Sequence, residues 1–306
     1  MSLPQTLDGT AVVAGRRHNF AANNVANVWA DMSDAVNDII NAPRAKFGAS
    51  HSDDANRAKW AGSESFGAAV DMLRNGWNEH RAAVEFVVST VADDPSIEEM
   101  MATRFGWTHD FAGGMVDIGR FVVGEPECMI APMMVEARQP DAVVRIVING
   151  GAFAIVDGET IVQRGVMIAA LVDTLMKLNR GVEVWWAWTT EGLDYPDVLT
   201  QLVKIKDVDE PLDVDDLLFV TASPSMLRRF GFALAELESR PVKKAIGVGG
   251  DGLYDQGYGR PADITRDQLA DAIGGTVHVA FGSVHANDDY SDPVAHVLKH
   301  LRGLDF

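Results

Sequence analysis

The sequence contains a single cysteine, Cys128, among its 306 residues. One thiol cannot form an internal disulfide, and it excludes a zinc site built from several cysteines. No apolar segment typical of a secretory signal opens the chain, and no apolar run approaches the roughly 20 residues that a helix needs to span a bilayer. We therefore expect a protein of a reducing, cytoplasmic compartment with no membrane partner.

Positive charge is scarce. The chain has 26 Lys and Arg residues against 44 Asp and Glu residues, which gives a formal net charge of −18. A protein that binds nucleic acid over a broad face needs clustered Lys and Arg, so we expect no nucleic-acid partner. The excess of carboxylates either keeps the protein soluble or forms a surface matched to a basic partner. Composition alone leaves both explanations open.

The common catalytic motifs are also missing. The sequence has no phosphate-binding loop with Gly-Lys-Ser/Thr, no His-Glu-x-x-His and no Gly-x-Ser-x-Gly. Gly247-x-Gly249-x-x-Gly252 has the spacing of a dinucleotide fingerprint, but a Gly- and Tyr-rich segment follows it where a helix would have to begin. These absences argue against the usual ATPases, zinc proteases, hydrolases and dinucleotide enzymes, and we expect no cofactor.

The strongest pattern that is present covers residues 143–188. Val143 to Ile148 is a nearly continuous β-branched run, and Val182 to Trp188 is a second run typical of a strand. A long helical pattern joins them, with Thr160 and Gln163 as a capping box and Gly181 at its end. Strand, helix and strand at this spacing predict a βαβ unit with two parallel, neighbouring strands.

Further strands and helices alternate after this unit. Val242–Val248 and Thr276–Phe281 have the composition of buried strands, and the alternation of Leu199–Val208 suits an edge strand. Helices are predicted from Pro224 to Ser239, after Thr265 with Gln268 as a capping box, and after Ser291-Asp292-Pro293. The predicted fold class is α/β: a doubly wound, mostly parallel, Rossmann-type sheet with helices on both faces.

The chain divides into three predicted parts. Residues 1–58 form an N-terminal extension that is weakly structured or helical, with one helix within Asn19–Asn41. Residues 59–140 form a small helical unit, with a helix capped by Ser63 or Ser65, followed by an irregular segment rich in Gly and Pro. Residues 141–306 form the α/β domain.

Ligands of open α/β sheets bind beyond the carboxyl ends of the strands. The site is therefore expected among the residues that follow the predicted strands, which are Asn149-Gly150-Gly151, Thr189-Thr190-Glu191, Gly249-Gly250-Asp251-Gly252 and Gly282-Ser283-Val284-His285.

Asp251-Gly252 follows the predicted strand Ala245–Val248. With this loop, the order of elements over residues 141–306 resembles a von Willebrand factor A-type domain. Such domains hold a metal ion above the sheet with an Asp-x-Ser-x-Ser loop, a Thr from a second loop and an Asp from a third. In this sequence Asn149 stands at the place of the first Asp, Thr221 is the candidate for the Thr, and Asp251 matches the third loop.

The first loop departs from that pattern. Gly151 and Phe153 stand where the two serines belong, and the Asn149 amide replaces a carboxylate. Magnesium prefers hard oxygen ligands in octahedral geometry, which this set supplies poorly. The resemblance therefore implies a vestigial metal site formed by Asn149, Asp251 and Thr221, with weakly held Mg²⁺ or Ca²⁺ as the alternative.

A second resemblance covers most of the chain. Its motifs are Trp60-x-Gly62-x-x-Ser65-Phe66 with Gly76-Trp77, then Asp110-x-Ala112-Gly113, Asp117 and Gly124-Glu125-Pro126-Glu127-Cys128-Met129. Together they resemble an uncharacterised family found largely in bacteriophage genomes. This resemblance implies a phage origin, a location in the host cytoplasm or the virion, and no assigned activity.

The first functional hypothesis is a non-enzymatic adaptor that binds another protein. The von Willebrand A resemblance implies a AAA+ ATPase as one candidate partner, and the phage resemblance implies a phage assembly component as another. On this hypothesis, replacing Asp251 with Ala leaves folding and partner binding almost intact.

Two alternatives stay open. One is a divalent-metal-dependent enzyme that uses Asp251 and Asn149 with Asp255 or His285 at the strand ends. The other is a structural protein of the virion or its assembly, which would function through a surface and self-associate symmetrically. The sequence does not identify the partner or the oligomeric state.

Overall fold

A computed structural model of the chain describes residues 16–21, 24–97, 105–134, 143–192, 197–248 and 257–304. The strands are β1 (Arg16–Ala21), β2 (Asn24–Trp29), β3 (Phe105–Asp110), β4 (Met115–Val116), β5 (Met129–Met134), β6 (Val143–Asn149), β7 (Gly181–Glu191), β8 (Val198–Lys206), β9 (Arg260–Pro261) and β10 (Val279–Phe281). The helices are α1 (Met32–Asn41), α2 (Ala55–Ala61), α3 (Phe66–Asn75), α4 (Arg81–Ala92), α5 (Ile118–Val122), α6 (Gly158–Lys177), α7 (Val214–Ala222), α8 (Phe232–Leu237), α9 (Arg240–Ala245), α10 (Arg266–Ile273) and α11 (Pro293–Arg302). A π-helical segment, Met226–Gly231, leads directly into α8.

The main sheet has the strand order β1-β2-β8-β7-β6-β10, and β9 also pairs with β7. Strands β10, β6 and β7 are mutually parallel. Strand β8 is antiparallel to β7 and parallel to β2, and β1 is antiparallel to β2. The α/β class, with helices packed on the sheet, is confirmed, and the sheet is a mixed one with a parallel part at β10-β6-β7.

The predicted βαβ unit is present as β6-α6-β7. The two strands pair in parallel from Val143↔Gly181 to Asn149↔Ala187. Helix α6 begins at Gly158, where the carboxylate of Asp157 accepts the backbone N–H of Thr160, and its middle is almost entirely buried. A strand pair covered along its length by one apolar helix explains the nearly continuous hydrophobic runs in this part of the sequence.

The two faces of the sheet are covered unequally. Trp186 and Trp188 pack on the face that is covered by most of the helices. Trp185 lies on the opposite face, where it shares a cluster with Leu269 and Ala272 of α10. The three tryptophans therefore alternate between the two faces of the sheet, and all three are buried as core side chains.

The predicted helix within Asn19–Asn41 is confirmed as α1, and a strand that was not predicted precedes it. Residues 24–29 form β2, which pairs with β8 from Asn24↔Val198 to Trp29↔Val203, and the helix begins only at Met32. The same pairing makes β8 an internal strand, not the predicted edge strand. Strand β2 is buried on both faces, so its sequence lacks the polar alternation that would have distinguished it from a helix.

The predicted strand Val242–Val248 is also wrong. Helix α9 occupies residues 240–245, with Pro241 in its first turn, where the missing backbone N–H costs nothing. Val242 and Ile246 are both buried at a helical i, i+4 spacing. Val248 forms only an isolated antiparallel bridge with Tyr258. The third metal-site loop was expected to follow this strand, so the structure removes the support that the strand gave it.

A second, smaller sheet lies in the segment that was expected to be irregular. It has the antiparallel order β3-β5-β4, with the short helix α5 between β4 and β5. The three-part division of the chain stays a prediction, although β2 ties part of the proposed extension into the main sheet.

None of the helices in the described part of the chain is long and apolar enough to cross a membrane.

Helices α6 and α7 approach so closely at Gly165 that a Cβ atom there would overlap the backbone of Ala222. We predict that Gly165→Ala lowers the free energy of unfolding by about 1–3 kcal/mol, because the two helices must move apart. Gly158→Ala on the same helix is the control, since the nearest atom, Cγ of Pro224, is 3.9 Å away. Urea denaturation measures both variants; equal stability of the two would contradict the close contact.

Candidate functional site

The carboxyl ends of β6 and β10 lie side by side at one edge of the sheet. A parallel bridge between Ala152 and Val284 continues their pairing beyond the strands. Across the same edge, the N–H of Ala262 donates to the carbonyl of Thr189 at 3.1 Å. The structure therefore brings together three of the segments that were expected to form the site.

The side chain of Asn149 links these segments. Its Nδ2 donates to the carbonyl of Ala262 at 2.8 Å and to Oδ1 of Asp263 at 2.6 Å, while its Oδ1 accepts the N–H of Gly151 at 2.9 Å. The residue is 5% exposed. These hydrogen bonds give Asn149 a structural role that needs no metal, and its role as a metal ligand stays a prediction.

Asp263, Ser283 and His285 continue the network toward solvent. The Asp263 carboxylate accepts the N–H of Ser283 at 2.8 Å and lies 3.3 Å from its hydroxyl. The same hydroxyl is 3.4 Å from Nε2 of His285. In a catalytic triad the imidazole lies between the carboxylate and the serine. Here the serine lies between the other two groups, so the geometry is not that of a triad.

Arg164 links the ends of β6 and β10 at the same edge of the sheet. It is 2% exposed, and its guanidinium donates to the carbonyl of Asn149 at 3.0 Å and to that of Gly282 at 2.7 Å. Burial lowers the pKa of Arg164, and the nearby Tyr290, Asp288 and Asp263 oppose that shift. By donating to both carbonyls, the Arg164 guanidinium holds the two strand ends together.

Thr221 lies on α7, where α7 packs against α6. Its hydroxyl donates to the carbonyls of Leu217, at 2.8 Å, and Gly165, at 3.2 Å. Asp251, and with it Asp255, lies outside the described residues. Within the described ranges, no group of three or more His, Cys, Asp and Glu side chains is placed to hold a metal ion. Any ligand set involving Asp251 stays a prediction.

A second buried polar cluster was not predicted. Glu236 on α8 accepts hydrogen bonds from the hydroxyls of Ser50 and Tyr258, and the Ser50 hydroxyl is 2.8 Å from Nδ1 of His51. Arg229 donates to the carbonyl of Ser50 at 3.0 Å. Glu236 and Ser50 are both 0% exposed, so a substrate cannot reach them and the cluster anchors the 47–52 segment. No local pattern predicts this cluster, because Ser50, Glu236 and Tyr258 come from separate parts of the chain.

The third feature is a surface on the smaller sheet. Several apolar side chains between β3 and β5 are largely exposed. We refer to them together as the β3–β5 apolar face, and they are Phe111, Met115, Val116, Ile118, Phe121, Val122 and Val123. Ile118, Phe121 and Val122 follow the i, i+3, i+4 spacing of one helix face. No residue from Thr108 to Ala131 is buried. Sequence reasoning missed this face because it classed the segment as irregular.

These features describe an α/β protein with a mixed sheet. Hydrogen bonds link the strand ends at one edge of that sheet, and an apolar surface is exposed elsewhere. The chain belongs to the family described as a domain of unknown function (DUF7192), whose model matches residues 11–305. No curated protein and no solved structure matches the chain. The family description names neither an activity nor a source, so the phage origin and the von Willebrand A likeness stay predictions.

Restoring the carboxylate of a von Willebrand A site tests the role of Asn149. We predict that Asn149→Asp lowers the free energy of unfolding by about 1–3 kcal/mol, because it loses two donated hydrogen bonds and faces the Asp263 carboxylate. Like charges raise the pKa of the new carboxyl, so the loss shrinks as the pH falls and one carboxyl gains a proton. Urea denaturation with and without Mg²⁺ measures this. Restoration of stability by Mg²⁺ would support a metal site instead.

The lowered pKa of His51 predicts that the free energy of unfolding depends on pH. Its ring stacks between Phe47 and Phe66, and burial, followed by the charges of Arg44 and Arg229, lowers its pKa from 6.5 to about 4. Between pH 6.5 and 4 the unfolded chain binds a proton that the folded chain does not, so stability falls as the pH falls through this window.

The matching measurement is the urea midpoint at pH 7 and pH 5. We expect His51→Gln to lose less stability than the wild type between these two pH values. His80→Gln, which removes a different imidazole, should keep the wild-type loss. Identical losses in the wild type and His51→Gln would show that His51 is not the responsible group.

Proposed function

We propose that this protein is an interaction module that binds a partner protein through the β3–β5 apolar face. The observation that carries the proposal is the exposure of this face: Phe111 is 70%, Ile118 73% and Val122 75% exposed. Large contiguous apolar patches on a protein surface are typical of binding sites for other macromolecules.

The small sheet has a physical need for a partner. A three-stranded sheet is stabilised by packing one face on a core, yet no described side chain from Thr108 to Ala131 is buried. Fully burying a side chain such as Phe, Ile or Val contributes about 1.5–3 kcal/mol. A partner that covers Ile118, Phe121 and Val122 would bury these side chains and gain affinity from their burial.

Charge identifies the chemistry of that partner. Asp110, Glu125 and Glu127 are exposed around the apolar face, and Arg120 is committed to an ion pair with Glu125 at 3.2 Å. A second copy would bring a like charge of −18 to the interface, which disfavours self-association. We therefore infer a different protein that presents an apolar segment flanked by Lys or Arg.

This proposal develops the adaptor hypothesis. A AAA+ ATPase or a phage assembly component as the partner stays a prediction that rests on the sequence resemblances alone. The alternative of a metal-dependent enzyme has less support, because the contacts of Asn149 and Thr221 within the described chain are accounted for by carbonyl, amide and carboxylate groups of the protein.

A random peptide library displayed on a carrier tests the proposal with the full chain as bait. We expect selected peptides to combine an apolar core with flanking Lys or Arg. The triple variant Ile118→Ser, Phe121→Ser, Val122→Ser should bind them at least tenfold more weakly, because burial of two such side chains already exceeds the 1.4 kcal/mol that a tenfold change requires. Folding should survive, since all three positions are exposed.

Ile155→Ser is the matched control, because Ile155 is 80% exposed and belongs to a different part of the chain. It should bind the selected peptides as the wild type does. Unchanged binding by the triple variant, or selection of acidic peptides, would contradict the proposal. Sedimentation analysis accompanies the experiment, and a stable dimer of the free wild-type chain would favour self-association.

A further inference from the structure

A cavity of about 540 Å³ lies between α4, the first half of α6 and the segment that leads into α11. Its walls are mainly apolar and include Ala83, Phe86, Val87, Val162, Val166 and Pro293. Pockets that bind small molecules typically have volumes of about 300–1,000 Å³ and apolar walls with a few polar groups. The size and lining therefore fit a small-molecule site.

The floor of the cavity is buried and its rim is open. Val87 and Val166 are 2% and 6% exposed and belong to the hydrophobic core between the sheet and the helices. Phe86 is 68% exposed at the same cavity, so an apolar ligand could cover its ring. A ligand would thus find a preformed apolar surface and would not have to open the core.

The polar side chains that line the cavity are His80, Glu159, Gln163, Tyr290 and Ser291. All five can accept a hydrogen bond and Glu159 is a carboxylate, so the cavity suits a ligand that donates hydrogen bonds. Nε2 of Gln163 donates to Oε1 of Glu159 at 3.3 Å, one helical turn apart on α6. This arrangement leaves Oε2 of Glu159 and Oε1 of Gln163 as acceptors. No Lys or Arg is among the described residues that line the cavity, and Glu159 is its one carboxylate there.

Helix N-termini at the cavity do not reverse this preference. Helices α6 and α11 both begin beside it, but Asp157 and Asp292 already accept backbone N–H groups of their first turns. These carboxylates, with Glu159, offset the positive ends of the two helix dipoles. An anionic ligand would meet them at close range.

We propose that this cavity binds a small molecule in which an apolar chain or ring carries a protonated amine. The apolar part lies against Phe86, Val87 and Val166, and the ammonium group donates to Glu159 and Gln163. None of the residues of the β3–β5 apolar face lines the cavity. The site is therefore independent of the proposed protein-binding function, and either can fail without the other.

Calorimetric titration with decylamine, decanol and decanoate tests the proposal, because the three probes share one chain and differ in the head group. We expect decylamine to bind the wild-type protein at least tenfold more tightly than decanol, and decanoate to bind most weakly. Glu159→Gln should reduce the preference for the amine over the alcohol to less than threefold. Glu85→Gln, which removes an equal charge from α4 outside the cavity, should keep the tenfold preference.

Ala83→Trp tests the location, because Ala83 is exposed on α4 and a large side chain there fills the cavity. It should abolish binding of decylamine and decanol, with circular dichroism confirming the fold. Phe86→Ala is the second variant and should weaken decylamine binding about fivefold. Equal or tighter binding of decanoate, or full binding by both cavity variants, would overturn the proposal and indicate adsorption to the acidic surface.

Discussion

The parallel pairing of β6 with β7 beneath α6 is the contact on which the rest of the fold depends. It places Ile146 beside Val184 and Ile148 beside Trp186. Trp186 belongs to one large apolar cluster, and the other three side chains belong to a second one. Strand β8 then adds to β7, and β2 adds to β8, so the sheet grows outward from this pair. Helices pack on the same side chains. Loss of the β6–β7 pairing would therefore destabilise both the sheet and the helices that cover it.

The same pairing determines where ligands can and cannot bind. It brings the carboxyl ends of β6 and β10 together, but Arg164, Asn149 and Asp263 fill that edge with hydrogen bonds of the protein itself. Ligands of open α/β sheets usually bind at this position, and here the polar groups of Arg164 and Asn149 are engaged by the protein itself. The β3–β5 apolar face and the cavity beside α4 are two surfaces of the described chain that lie away from these strand ends.

The elements that could be predicted are those with a local signal. The βαβ unit follows from two β-branched runs around one helical period, and α10 follows from the capping box of Thr265 and Gln268. Strand β2 could not be predicted, because its neighbour β8 lies more than 170 residues away along the chain, as its contact between Asn27 and Gln201 shows. Likewise Asp263 and Arg164 enter the site only through tertiary packing, and no spacing in the sequence connects them with Asn149.

Amide hydrogen exchange of the full chain measures whether a partner protein covers the β3–β5 apolar face. Exchange is followed with and without a peptide selected from the library. If the face binds the peptide, we expect fast exchange in β3, β4 and β5 of the free protein and marked slowing there on binding. The exchange rates of β6 and β10 should not change. Slowing confined to the ends of β6 and β10, or no slowing in the small sheet, would show that the peptide does not bind to the β3–β5 apolar face.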